Sequence, residues 1–286
     1  MEKLDLETLI NKVEDIPVFP NSVSKIIAIT ENPESTADDI ESEILKDQSL
    51  TSKVLKLANS TYYGYARRIS TISEATVLLG FAAIKSITIA STVSGLLIKE
   101  LPGGYNLEKY DLWNQSQSCA IIARYISNKI KFSKPEEAYI AGLLRDIGKT
   151  ILNHYVADEY QSIINKVELE GKSFLEAEME VLGFHHGEVG AKVAKNWNFP
   201  KNLVESILYH HSPEKANINP ELVSIIHIAD AITMMMGLGL GTDGLAYNFS
   251  QFALDTLNLQ SSDIDQIIFE CMDFLSDDES FNIVKN

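Results

Sequence analysis

The hydrophobic period narrows this chain more than any other feature. Apolar residues recur at three- and four-residue spacing almost from end to end, and no segment alternates apolar and polar residues as a half-buried strand would. Leu4, Leu6, Leu9, Ile10 and Val13 mark an opening amphipathic helix. In "PVFPNSVSKIIAIT", Asn21 or Ser22 can cap a helix carrying Val23, Ile26 and Ile27. "STADDIESEIL" offers Ser35 or Thr36 as cap, with acids in the first turn where the helix dipole favours them. "DQSLTSKVLKLANS" sets Leu50, Val54, Leu55 and Leu57 on one face, and "STISEATVLLG" is a capped start ended by Gly80. The expected fold class is all-α, a compact multi-helix bundle.

Punctuation then divides the chain. "ELPGGYNLEKY" (100–110) carries a Pro-Gly-Gly turn signal and reads as the internal boundary. It separates an N-terminal helical subdomain, 1–105, from a second helical subdomain with a C-terminal extension, 106–286. Beyond it, helices are expected near 110–130, 136–147, 158–170, 173–182, 187–197, 201–210, 220–236 and 250–276. "GLGLGTDG" (237–244) lacks the preceding strand and the lysine of a phosphate loop, so it reads as a connection.

The chain has 286 residues, with 24 basic against 40 acidic side chains, a formal charge of −16. A field of that sign opposes general association with nucleic acid or an anionic membrane. The most apolar window, "FAAIKSITIASTVSGLLI" (81–98), has nearly the length of a membrane span but contains Lys85, two threonines and three serines. A core helix explains it better, and the expected location is the cytoplasm. Cys119 and Cys271 lie far apart, in apolar helical patterns, where cysteine acts as a small hydrophobe.

The six histidines are His154, His185, His186, His210, His211 and His227. Two adjacent pairs invite a metal hypothesis, since imidazole is a common transition-metal ligand, and Asp146 and Asp230 could add oxygen ligands. Adjacent residues on a helix point about 100° apart, so one histidine of "YHHS" would face a given cavity unless the helix has frayed there. His154 and His227 read as packing residues, and His185 points outward if His186 points in.

Sequence motifs add a resemblance. "AGLLRDIGK" (141–149) resembles the "AGLLHDIGK" signature of the HD superfamily of metal-dependent phosphohydrolases. "LGFHHGEVGAKVAKNWNFP", "ILYHHSP" and "IIHIADAI" follow in the order of its later motifs. The N-terminal half, from "IPVFPNSVSKIIAI" through "ISTISEATVLLGFAAIKSITIAS", resembles the HDOD domain, the bacterial signalling branch of that superfamily. The likeness spans roughly 14–232 and implies two helical subdomains meeting around a cleft.

It also implies a site. Gln115 stands in "LWNQS" where the family motif would place a first histidine, and the His-Asp pair has become Arg145-Asp146. His186, His210, His211 and Asp230 match. Arginine is permanently charged and has no lone pair to give a metal. It can, however, neutralise carboxylates through a planar fork of donors. The expectation is a vestigial cleft of Gln115, Arg145, Asp146, His186, His210, His211 and Asp230, with the guanidinium at or beside the first metal position and Gln115 bonded within the cluster. The bland alternative leaves Arg145 in solvent at a helix C-terminus. No cofactor is expected. If Arg145 swings away, Asp146, His186, His210, His211 and Asp230 could hold one divalent ion of iron, manganese, nickel or zinc.

A second surface, "NSTYYGYARRIS", interleaves Tyr62, Tyr63 and Tyr65 with Arg67 and Arg68, a composition found at nucleotide sites and equally in packed turns. The functional expectation is a non-catalytic signal-transduction protein that binds a signalling protein partner or a small ligand. The alternatives are a phosphohydrolase acting on a nucleotide or cyclic dinucleotide, and a nucleotide sensor that does not hydrolyse.

Overall fold

The computed structural model describes residues 19–60, 63, 67–102, 105–153, 159–238 and 249–276. Its described residues are helical apart from short turns and a single Leu101–Leu107 bridge. They form two compact units, one from the described residues of Val18–Gly95 and Phe269–Asn286, the other from those of Leu96–Ile268. The opening helix expected over 4–13, and most of 237–244, lie outside the described residues.

In the first unit the helices are α1 (Asn21–Glu31), α2 (Ala37–Ile44), α3 (Gln48–Ala58), α4 (Ile72–Leu79) and α5 (Phe81–Leu97). α2 packs on α1 and α4, and α3 on α4, around Val23, Ile26, Ile40, Ile44, Val54 and Ala75. Thr36 caps α2 in a reciprocal box with Asp39, as the sequence suggests. α1 departs from expectation: Pro20 precedes it, and neither Asn21 nor Ser22 caps it, because both lie within the first turn. The turn after α3 is closed by Asn59, whose amide donates to the Ile69 carbonyl at 2.8 Å and accepts from its N–H at 2.7 Å.

The second unit carries α6 (Asp111–Lys129), α7 (Pro135–Leu144), α8 (Ile147–Leu152), α9 (Tyr160–Glu170), α10 (Phe174–Leu182), α11 (His186–Asn196), α12 (Lys201–Tyr209), α13 (Pro220–Met235) and α14 (Gln251–Leu257). A further helix, α15, runs Ser261–Ser276. The helix expected over 136–147 is two helices, because the chain turns at Arg145-Asp146 to let both side chains face inward. The segment 250–276 also breaks, at Asn258, whose φ of 52° belongs to the left-handed region that asparagine tolerates.

α13 is buried on every side from Leu222 to Met234, and α6, α7, α12 and α14 pack around it. Glu205 of α12 fixes the approach to α13: its buried carboxylate accepts from the backbone N–H groups of Asn217, Ile218 and Asn219 at 2.7–3.0 Å. Cys119 and Cys271 are both buried thiols, and burial pushes the Cys119 thiol up to about 12.

Two glycines allow close approaches between helix backbones. A Cβ on Gly142 would sit 3.0 Å from the Cα of Ala120, so α7 lies directly on the backbone of α6. A Cβ on Gly148 would fall 2.0 Å from the carbonyl oxygen of His186, so α8 meets the first turn of α11 with no side chain between them. This contact sets the distance between Asp146 and His186. Gly148→Ala should force the two helices apart and cost about 1–3 kcal/mol or more, read by chemical denaturation, whereas Gly171→Ala, where the added carbon meets open space, probes backbone conformation alone.

Candidate functional site

The chain's turn between α7 and α8 presents Arg145 and Asp146 to the interior of the second unit, at 0% and 2% exposure. This rules out the solvent-facing arrangement of Arg145. Its Nε donates to Asp230 Oδ1 at 2.5 Å and its Nη1 to the Gly142 carbonyl at 3.2 Å. Its Nη2 lies 3.2 Å from Asp146 Oδ2, an ion pair without hydrogen-bond alignment. One guanidinium therefore spans Asp146, at the start of α8, and Asp230, on α13.

Lys149 joins them. It sits three residues after Asp146 on the same helical face, 1% exposed, with Nζ 3.0 Å from Asp146 Oδ2. Burial works to raise the Asp146 carboxyl, but Lys149 and then Arg145 reverse this and hold it well below the usual carboxylate range. Burial works against the charge of Arg145 as well, but Asp230, Cys119 and Asp146 together more than offset it.

The histidines approach Asp146 through its other oxygen. His186 opens α11, and its Nε2 is 3.4 Å from Asp146 Oδ1 and 3.0 Å from His211 Nε2. α12 ends at Tyr209, so His210 and His211 leave the helical register and both rings reach the cluster, their centroids 4.0 Å apart. His210 Nδ1 donates to the Ile207 carbonyl at 2.7 Å. In the neutral ring this bond leaves His210 Nε2 with its lone pair, buried 3.7 Å from Asp146 Oδ1 and without a hydrogen bond of its own.

A second layer holds the rings. Glu178 of α10, 1% exposed, receives His186 Nδ1 at 2.7 Å, the His186 backbone N–H at 3.1 Å and the Tyr105 hydroxyl at 2.6 Å. Burial lowers the affinity of His186 for a proton, but Glu178 outweighs burial and raises it. Burial, then His210 and His186, push His211 well down. His227, read from sequence as packing, is buried and bridges backbone groups: Nδ1 donates to the His210 carbonyl at 2.8 Å, and Nε2 accepts from Ser250 N–H at 2.9 Å. His185 caps α11, accepting from Gly187 N–H, and burial pushes it down to about 3.

Gln115 lies buried on α6, but its amide donates to the Met234 sulfur at 3.2 Å, and its carbonyl oxygen has no hydrogen-bond partner. The expected bond from Gln115 into the cluster is not formed. Lys149, Glu178 and Tyr105 escaped the sequence reading. Only Lys149 carried a local signal, its spacing from Asp146.

Asp146, His186, His210 and His211 each offer a donor atom, all within 4.8 Å of one another. This is close to the span of roughly 4 Å for donors held about 2.0–2.2 Å from one transition metal. The bare His210 nitrogen and the Glu178-oriented His186 ring fit such an ion, as carboxylate–histidine pairs do in metal sites. Asp230, held by the guanidinium, is not one of those four, although its Oδ2 lies 4.0 Å from His211 Nδ1. Without an ion, the carboxylates of Asp146, Asp230 and Glu178 face only Arg145 and Lys149, which leaves one negative charge for a cation or a proton to balance.

Of the second surface, Tyr62 and Tyr65 lie outside the described residues and Tyr63 is half-buried. Arg67 is exposed and pairs with Glu74 at 2.9 Å, and Arg68 is exposed. His154 also lies outside the described residues. Among the described residues, no helix is long and apolar enough to cross a membrane.

Residues 16–213 match the HDOD domain. A crystal structure of an HDOD domain protein of unknown function from Geobacter sulfurreducens shares 27% identity, with 96% of each chain covered and a TM-score of 0.78. A protein from Marinobacter aquaeolei VT8, provisionally named for signal transduction, shares 20% identity over 98% of this chain and 61% of its own, with a TM-score of 0.76. An uncharacterized protein of Treponema pallidum (strain Nichols) is 26% identical over 230 residues, 78% of this chain. The match covers 43% of that relative, so the chain spans less than half its length.

Removing the guanidinium should expose its structural weight. Arg145→Gln leaves two buried carboxylates short of a partner and should lower stability by about 3–5 kcal/mol. Adding Asp230→Asn should recover part of that loss in urea denaturation. Equal stability of Arg145→Gln and wild type would show that the ion pair is not what holds the α7–α8 turn to α13.

Proposed function

Because the chain belongs to the HDOD domain family, we propose that it is a regulatory, non-catalytic member that signals by binding, its HD-type site being degenerate. One observation carries this reading: Arg145, fully buried, lies against both Asp146 and Asp230. A metal-dependent phosphohydrolase needs carboxylates free to hold its ions and an open coordination position for water or substrate. Here one aspartate is committed to a guanidinium and the other is shared between a guanidinium and an ammonium. The positive charge that an ion would supply on the Asp230 side is covalently built in.

Output then passes through noncovalent contact. The formal charge of −16 favours a protein partner that offers a basic surface. The Marinobacter relative's name points the same way, and its likeness supports the fold on which this reading rests.

A second reading, a metal-dependent phosphohydrolase, draws on one specific feature: the four convergent donors of Asp146, His186, His210 and His211, with the bare His210 nitrogen among them. A divalent ion there would supply a Lewis acid and an activated water. The residues' own contributions are clear. Glu178 holds the His186 ring, the Ile207 carbonyl holds His210, and Lys149 with Arg145 keeps Asp146 ionised. One ion per chain is the most this side could take.

The two readings separate in one set of measurements. Protein incubated with Mn²⁺ or Fe²⁺ should show no turnover of simple phosphodiesters or cyclic dinucleotides above a no-protein control. The Gln115→His/Arg145→His double variant should bind one more ion per chain than wild type, by elemental analysis. Turnover by wild type would overturn the non-catalytic reading. An unchanged ion count in the double variant would overturn the view that the guanidinium stands in for a cation.

A further inference from the structure

Tyr105 touches the cluster's second layer by two separate routes. Its hydroxyl donates to Glu178 Oε1 at 2.6 Å, and the other Glu178 oxygen orients His186. Its ring faces Lys149 Nζ at 5.7 Å, and Lys149 holds Asp146. Phe174 also packs against the ring, tilted, with the centroids 5.4 Å apart. Tyr105 is 2% exposed although it belongs to a connection between helices, where side chains are usually free.

That connection is unusual in its backbone too. Residues 105–110 lead from the α5 side of the chain into α6. Asn106 and Tyr110 both hold positive φ, 50° and 80°, without being glycine. Asparagine tolerates that region, but a tyrosine at φ 80° persists only where the surroundings impose it, and such positions accumulate at functional and switching segments. Two amides tie the segment back to the residues that precede it: Leu107 N–H to the Leu101 carbonyl at 3.3 Å, and Tyr110 N–H to the Ile98 carbonyl at 3.2 Å.

We propose that Tyr105 and Glu178 are positioning residues for His186, and that through them occupancy of the Asp146–His186–His210–His211 cluster by one divalent cation is transmitted to residues 105–110. This rests on the one-ion capacity described above and adds what that capacity is for. A cation taking the His186 Nε2 lone pair draws electron density from the ring, so the Nδ1–H bond to Glu178 tightens. The same cation competes with Lys149 for Asp146 and drives the ammonium toward the Tyr105 ring. Both effects act on one side chain, the one that anchors the 105–110 segment. The class of ligand sensed is a transition-metal dication, and the output is the order of the connection between α5 and α6.

The experiment uses the full chain and Zn²⁺ alone, with calorimetry beside amide hydrogen exchange at Leu107 and Tyr110. Wild type should bind one Zn²⁺ per chain, and exchange at both amides should slow by about tenfold, the factor a single charged hydrogen bond supplies. Tyr105→Phe keeps the ring against Phe174 and Lys149; it should still bind one Zn²⁺ but lose the change in exchange. Glu178→Gln should weaken Zn²⁺ binding by about 10–100-fold, as loss of a second-layer carboxylate does. Saturation with Zn²⁺ that leaves wild-type exchange unchanged would overturn the coupling while leaving the ion site standing. A full response in Tyr105→Phe would overturn the role of the hydroxyl. No Zn²⁺ binding by wild type would overturn both the ion site and the proposal built on it.

Discussion

The Arg145 guanidinium, buried between Asp146 and Asp230, is the interaction on which the arrangement of the second unit depends. Taking three charges out of water costs several kcal/mol per ion, and mutual attraction returns it only when the geometry is good. The net gain over an apolar core is therefore small. The cost of breaking the set is not, because any one member removed leaves the others buried and uncompensated. This asymmetry makes the bridge a specifying device. It fixes the α7–α8 turn against α13, keeps Asp146 ionised, and occupies Asp230.

Everything on the histidine side follows from that commitment. With Asp146 Oδ2 turned to Arg145 and Lys149, only Oδ1 faces the rings. Each ring is in turn fixed by its far nitrogen: His186 by Glu178, His210 by the Ile207 carbonyl. His227 restrains the His210 backbone from below and ties it to Ser250. A side chain locked at one nitrogen has no rotational freedom to hide the other, so the bare His210 Nε2 is a consequence of the scaffold.

How much of this was legible in the sequence depends on range. Helices and caps such as Thr36–Asp39 are set by neighbours within a few residues, and periodicity and cap residues find them. The breaks at Arg145-Asp146 and Asn258 were missed, since the apolar pattern runs on through both and only side-chain commitments stop the helix. The motif likeness located Asp146, His186, His210, His211 and Asp230, and the burial of Arg145 agrees with charge logic drawn from two adjacent letters. Glu178 and Tyr105 were invisible because their bond joins residues 73 positions apart. Gln115 was misjudged for the same reason: its partner, Met234, is 119 residues away.

The charges also decide what kind of ligand this interior can accept. A nucleotide phosphate would need cations with free donors, and Arg145 and Lys149 are both committed to carboxylates and almost wholly buried. The group left unanswered is the opposite one, a histidine lone pair beside a carboxylate oxygen. Such a pair attracts a small cation, a proton or a metal ion, and repels an anion. On the surface, by contrast, Arg68 is exposed. The unpartnered nitrogen and the carboxylate beside it therefore suit a small cation better than an anion.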